Sequence, residues 1–130
     1  MKNRTEVLVL DDEAIVCERL KEHLEGKGFE VETFTESQRA IDRLMEKTFE
    51  VVVTDLKMEG PSGLDVLRLV RDQGRGTQVI MITGYASAEA ARAADYTGVY
   101  EFILKPFQLE EMAKLVKKAA KKAMKFKGGT

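Results

Sequence analysis

The sequence predicts an α/β fold, a parallel sheet of five strands with helices packed on both faces. Three observations carry this. Apolar runs at 7–10 (VLVL), 51–54 (VVVT), 79–82 (VIMI) and 102–104 (FIL) each stop abruptly at polar or turn-forming residues. Continuous β-branched and aliphatic runs of this length are what strands buried on both faces look like. The intervals between them are long enough for crossover helices, which parallel neighbours require.

Taken in order, Glu6 to Leu10 is the first strand. Glu13 to Lys27 is a helix, because Val16, Leu20 and Leu24 recur on one face and Gly26 and Gly28 bracket its end. Phe29 to Thr33 alternates apolar and polar residues and reads as a half-exposed edge strand. Thr35 and Gln38 have capping-box spacing and start a second helix near Ser37 to Lys47, with Ala40, Ile41 and Leu44 inward. Val51 to Thr54 is the third strand, and Leu64 to Asp72 the third helix, with Leu64, Leu67 and Val70 inward. Val79 to Ile82 is the fourth strand. Ser87 caps an alanine-rich fourth helix with Glu89 in its first turn, which suits the helix dipole. Alanine buries little area, so that helix is expected to be the most weakly anchored. Val99 to Leu104 is the fifth strand, and Leu109 to Lys125 a fifth helix, buried along Leu109, Met112, Val116, Ala119 and Ala123.

The chain of 130 residues suits one domain with one core, and 44% hydrophobic with 33% charged residues is ordinary for a soluble protein. The net charge of −1 gives no reason to expect nucleic-acid or membrane binding. Residues 110–130 hold seven lysines against two glutamates, net +5, which leaves −6 for residues 1–109. We read the lysines as a solvated face. Cys17 stands alone, which excludes an internal disulfide and suggests no cysteine metal site, and we read it as a partly buried helix residue. His23, the single histidine, reads as a surface helix position. No apolar run approaches a membrane span and no signal-peptide core follows the N-terminus, so a cytoplasmic location is expected.

The chemistry gathers at one edge. Asp11 and Asp12 follow the first strand, Asp55 the third, Thr83 and Gly84 the fourth, and Lys105 the fifth. The carboxyl ends of parallel strands are where open α/β sheets bind ligands. Singly, each residue could be only a turn former, a helix cap or a strand stop. Together they make a site. Three close carboxylates repel one another unless a cation is present, and carboxylate oxygens with water suit Mg²⁺, which also engages phosphate oxygens. Lys105 supplies a cation, Thr83 a hydroxyl and Gly84 an unobstructed N–H. Asp55 is the candidate nucleophile, since carboxylates attack phosphorus to form acyl phosphates.

These motifs, Asp11-Asp12, Asp55, Thr83 and Lys105-Pro106-Phe107 in this order, resemble the receiver domains of two-component response regulators, over residues 5–124. Residues 125–130 would be a tail or the start of a linker. The resemblance implies a flavodoxin-like, doubly wound sheet in the order 2-1-3-4-5. It implies that Asp55 accepts phosphate from a sensor histidine kinase or phosphotransfer protein. Asp12, Asp55 and the backbone carbonyl of Lys57 would bind Mg²⁺ directly, and Asp11 through water. Lys105 would contact the phosphoryl group, and its bond to Pro106 would be cis. Thr83 would move toward the phosphoryl group and Phe102 turn inward with it. The face of the fourth helix, fifth strand and fifth helix would then signal to an output domain or partner, with homodimerisation through that face one form of output.

Two departures stand out. Glu59 occupies the position where the related pattern D-L-x-M-P-G-x-D-G has proline, and Pro61 follows two residues later. Lys57 and Tyr85 sit two residues after Asp55 and Thr83, where the family controls water access, and are expected to slow loss of phosphate. Rival readings are weaker. An aspartate-nucleophile phosphatase of the haloacid dehalogenase type needs a second Asp where Lys57 stands. A flavodoxin-type flavin site needs a phosphate loop where Asp11-Asp12-Glu13 would repel phosphate. A receiver fold serving as an unphosphorylated interaction module usually lacks a site residue, and none is missing here. The expectation is a signalling switch rather than a metabolic enzyme.

Overall fold

A computed structural model describes residues 4–84 and 98–128. Its elements are β1 (Glu6–Leu10), α1 (Ala14–Gly26), β2 (Glu30–Phe34), α2 (Ser37–Glu46), β3 (Val51–Asp55), α3 (Gly63–Gln73), β4 (Gln78–Thr83), β5 (Val99–Leu104) and α4 (Leu109–Gly128). The alanine-rich helix expected after Ser87, and Tyr85, lie outside the described residues, so α4 denotes the C-terminal helix.

The strands form one sheet in the order β2-β1-β3-β4-β5, with every neighbouring pair parallel. The inner strands are the apolar runs. Val7 to Leu10, Val51 to Val53 and Val79 to Ile82 are all buried. Because alternate side chains point to opposite faces, each strand feeds two cores. Val7, Val9, Val51, Val53, Ile80 and Ile82 pack with α1 and α4. Leu8, Leu10, Val52 and Met81 pack with α2 and α3.

The helices are stopped and started by local chemistry. A capping box opens α3, where the Ser62 hydroxyl accepts from the Leu64 and Asp65 amides and Asp65 accepts from the Ser62 amide. Gly74 closes it in the left-handed region, φ 61°, which glycine adopts without strain. The capping box expected at Thr35 and Gln38 does not form. Glu36 is the N-cap of α2 and makes no side-chain cap bond, while Gln38 bonds Asp42 one turn along. Cys17 proves buried rather than partly buried, and Val66 and Ser37 join the buried set. Among the described residues, no helix is long and apolar enough to cross a membrane.

Candidate functional site

Register brings the site together. Leu10 pairs with Thr54, so the next residues, Asp11 and Asp55, emerge side by side. Asp55 pairs with Ile82 and Thr83 with Leu104, which sets Thr83 and Lys105 along the same edge. Backbone bonds carry the ladder past the strand ends: Asp11 N–H to Phe34 O at 3.1 Å, Leu56 N–H to Ile82 O at 2.8 Å and Lys105 N–H to Thr83 O at 2.9 Å. Gly63 lets α3 start against this edge. A Cβ there would stand 2.6 Å from the Asp55 carbonyl oxygen and 2.7 Å from Met81 Sδ.

Asp11, Asp12 and Asp55 each present a carboxylate oxygen within 4.8 Å of the others. Asp11 is fully buried. Its Oδ1 accepts the Glu13 amide at 2.8 Å. Its Oδ2 lies 3.0 Å from Lys105 Nζ but off the hydrogen-bonding direction, and no other protein donor reaches it. Burial raises the Asp11 pKa above the ordinary carboxylate value, against the pull of the Glu13 amide and Lys105. A buried carboxylate oxygen so poorly served by protein donors, beside two further carboxylates, fits a hard divalent cation bound through oxygen.

Lys105 is the hub. Its ammonium lies 2.7 Å from Glu13 Oε1, 3.0 Å from Asp11 Oδ2 and 3.2 Å from Asp55 Oδ2. Partial burial works against its charge, but Glu13, Asp11 and Asp55 outweigh it and raise its pKa. Asp55 is half-buried, and its Oδ1 accepts the Lys57 amide at 3.3 Å. Thr83 is buried, and its hydroxyl donates to the neighbouring Gly84 carbonyl at 3.1 Å. The Lys105–Pro106 peptide is cis, as the resemblance implied. Phe102 is half-buried on β5 opposite Met81, against the core on the α2/α3 face.

Glu13 was missed as a site residue. In the sequence it is only the first residue of a helix, and the fold alone brings it to Lys105, 92 positions away. Lys105 in turn holds the Glu13 pKa down. Cys17 supports the site from beneath, its Sγ 3.3 Å from the Asp11 carbonyl oxygen. Burial, then the Asp11 charge, pushes the thiol up to about 11, so it stays protonated. His23 lies beside Glu110 at 3.1 Å, where α1 meets α4.

The response regulator receiver domain family model matches residues 7–117. The chain belongs to this family. Among curated relatives, the transcriptional regulatory protein ResD of Bacillus subtilis is 31% identical over 122 residues, covering 93% of this chain and 50% of that protein. The DNA-binding transcriptional regulator NtrC of Klebsiella pneumoniae is 30% identical, covering 85% of this chain and 24% of that protein. The receiver thus spans half or less of either relative. A receiver domain from Clostridium thermocellum superposes with TM-score 0.82 at 30% identity, covering 90% of this chain and 94% of that one. A CheY-like receiver from Methanospirillum hungatei reaches 0.86 at 24% identity, covering 95% and 98%, a likeness of fold.

Proposed function

We propose that this receiver is a phosphorylation-dependent switch of a two-component system, with Asp55 as phosphoacceptor. The observation that carries the reading is the Lys105 ammonium, 3.2 Å from Asp55 and 3.0 Å from Asp11. It places a fixed cation beside the one half-buried carboxylate in a group of three. A carboxylate oxygen of Asp55 attacks the phosphorus of a phosphohistidine on the sensor kinase or phosphotransfer protein. The P–N bond breaks, its electron pair stays on the imidazole nitrogen, and an acyl phosphate forms. Lys105 exchanges part of its hold on Glu13 for a phosphoryl oxygen, and the Thr83 hydroxyl leaves the Gly84 carbonyl to donate to another. Asp12, Asp55 and the Lys57 carbonyl would hold Mg²⁺, with Asp11 reached through water; when bound, the ion neutralises phosphoryl charge. The task of the protein is positioning and electrostatic stabilisation, so the domain works as a switch and catalyses only its own phosphoryl transfer and loss.

Thr83 and Phe102 then change the shape of the β5 and α4 face toward an output domain or partner or a second copy. In this reading residues 5–124 carry the receiver, and its C-terminal helix α4 continues past them to Gly128. The test is intact mass after incubation with acetyl phosphate, with and without Mg²⁺, beside Asp55→Asn. The expected result is a Mg²⁺-dependent gain of one phosphoryl group in the wild type and none in the variant. No gain from acetyl phosphate or a kinase donor would replace this reading with an unphosphorylated interaction module.

A further inference from the structure

We infer that Ser37 is a positioning residue for the loop that follows Asp55, holding its middle so that the Lys57 carbonyl faces the acidic group; this rests on the Mg²⁺-dependent reading above. Ser37 opens α2 and is only 3% exposed. A serine at a helix start normally caps it, yet here the N-cap is Glu36 and α2 has no side-chain cap. The Ser37 hydroxyl instead donates to the Glu59 carbonyl at 3.1 Å, across 22 positions of sequence. A buried hydroxyl costs free energy unless it is bonded, so the bond and the burial belong together.

The loop between β3 and α3 is anchored at its ends by other means. The Lys57 amide binds Asp55 Oδ1, the Gly63 amide binds the Leu56 carbonyl at 2.9 Å, and the Ser62 capping box fixes the exit. Between them the chain passes Glu59, where the related pattern has proline. Proline would fix φ by its ring; glutamate leaves it free, and a tie from outside the loop takes over. Gly60 adopts φ 78°, and a Cβ there would stand 3.4 Å from the Ser37 hydroxyl. The reversal at Gly60 is thus folded directly over Ser37. Lys57 lies two residues before the tethered carbonyl, so freeing Glu59 lets the Lys57 peptide plane rotate away from the carboxylates.

The test compares wild type, Ser37→Ala, Ser37→Thr and the exposed-face control Gln38→Ala. Amide exchange is read without metal, and Mg²⁺ affinity by titration calorimetry. In Ser37→Ala the amides of residues 57–61 should exchange faster and the Mg²⁺ dissociation constant rise about three- to tenfold, the scale of one net hydrogen bond. The amides of β1 and β3 should stay unchanged. Threonine should restore both readouts, and Gln38→Ala should leave both alone. Wild-type exchange and affinity in Ser37→Ala would overturn the inference. So would acceleration spread evenly over the domain, which would make Ser37 a packing residue. If the wild type itself failed to bind Mg²⁺, the phosphoacceptor reading would fall with the metal part, while the exchange arm would still decide whether Ser37 holds the loop.

Discussion

The two edge strands, β2 and β5, occupy equivalent places in the sheet and are built differently. All five residues of β2 pair with β1 in unbroken register. Its outer side is closed by charge. Arg43 of α2 binds both oxygens of Glu32, at 2.8 and 3.0 Å, and Lys47 adds contacts to Glu6 and Glu32. Lys21 donates to the Val31 carbonyl at 2.9 Å. β5 pairs with β4 through a register shift at Val79/Ile80. Each edge strand has one buried residue, Val31 on β2 and Ile103 on β5, but no residue of β2 is exposed, whereas on β5 Glu101 is exposed and Leu104 is 52% exposed. Yet β5, not β2, ends in the lysine that joins the carboxylates. One edge is sealed and supports the fold. The other slips register at its start, stays paired at the end that touches the site, and is the more exposed of the two, as a strand that responds to a local charge event can be.

The sharpest way to break this comparison is at the end of β5. Lys105→Met removes the cation beside Asp55, and the phosphorylation rate with acetyl phosphate should fall about 10²- to 10³-fold, the usual cost of losing one group aimed at developing charge. Single-turnover mass spectrometry measures it, with circular dichroism as the check that the sheet survives. An unchanged rate would make Lys105 a structural partner of Asp11 and Glu13 and remove the link from β5 to the chemistry. Packing gives the next largest effect. Val31 on β2 is 5% exposed within the α1-side core, so Val31→Ala should lower unfolding stability by about 2 kcal/mol through lost burial and a small cavity. Leu104→Ala on β5 should stay within about 0.5 kcal/mol. Urea unfolding of both variants decides it; equal losses would mean that β5 is as firmly seated as β2.

The same contrast explains what could be read from the sequence. The inner strands were legible because they are buried on both faces and so apolar without interruption. Asp11, Asp55, Thr83 and Lys105 were legible because each follows such a run at the same end. Glu13 was not, because its meaning depends on Lys105, which only the closed sheet brings near. Ser37 was read as the start of a helix, since its bond to Glu59 joins two segments with no shared periodicity. The Ser62 box leaves a fainter mark, because Asp65 rather than a longer Glu or Gln closes it, while Thr35 and Gln38 have the right spacing but Glu36 takes the cap. The strand order came from resemblance, because pairing between distant strands leaves no local mark.

The smallest prediction tests whether charge really closes the β2 edge. Arg43, through its hydrogen bonds, lowers the Glu32 pKa below its ordinary value of 4.5, helped by Lys47 and opposed by partial burial. The folded pKa is therefore the lower one, and the unfolded chain takes up its proton first as pH falls. Stability from the pair is then fully present above the unfolded value and is lost as pH drops through the folded one. Both side chains are about a third exposed, so solvent screens the pair and its worth is about 0.5 kcal/mol. Glu32→Gln should carry that deficit in urea unfolding at neutral pH, and the deficit should shrink steadily once the pH passes below 4.5. No deficit at any pH would mean that glutamate serves through its packing against Arg43 and Lys47, which glutamine keeps. The seal on β2 would then be one of shape, and the two edges would differ in contact area rather than in charge.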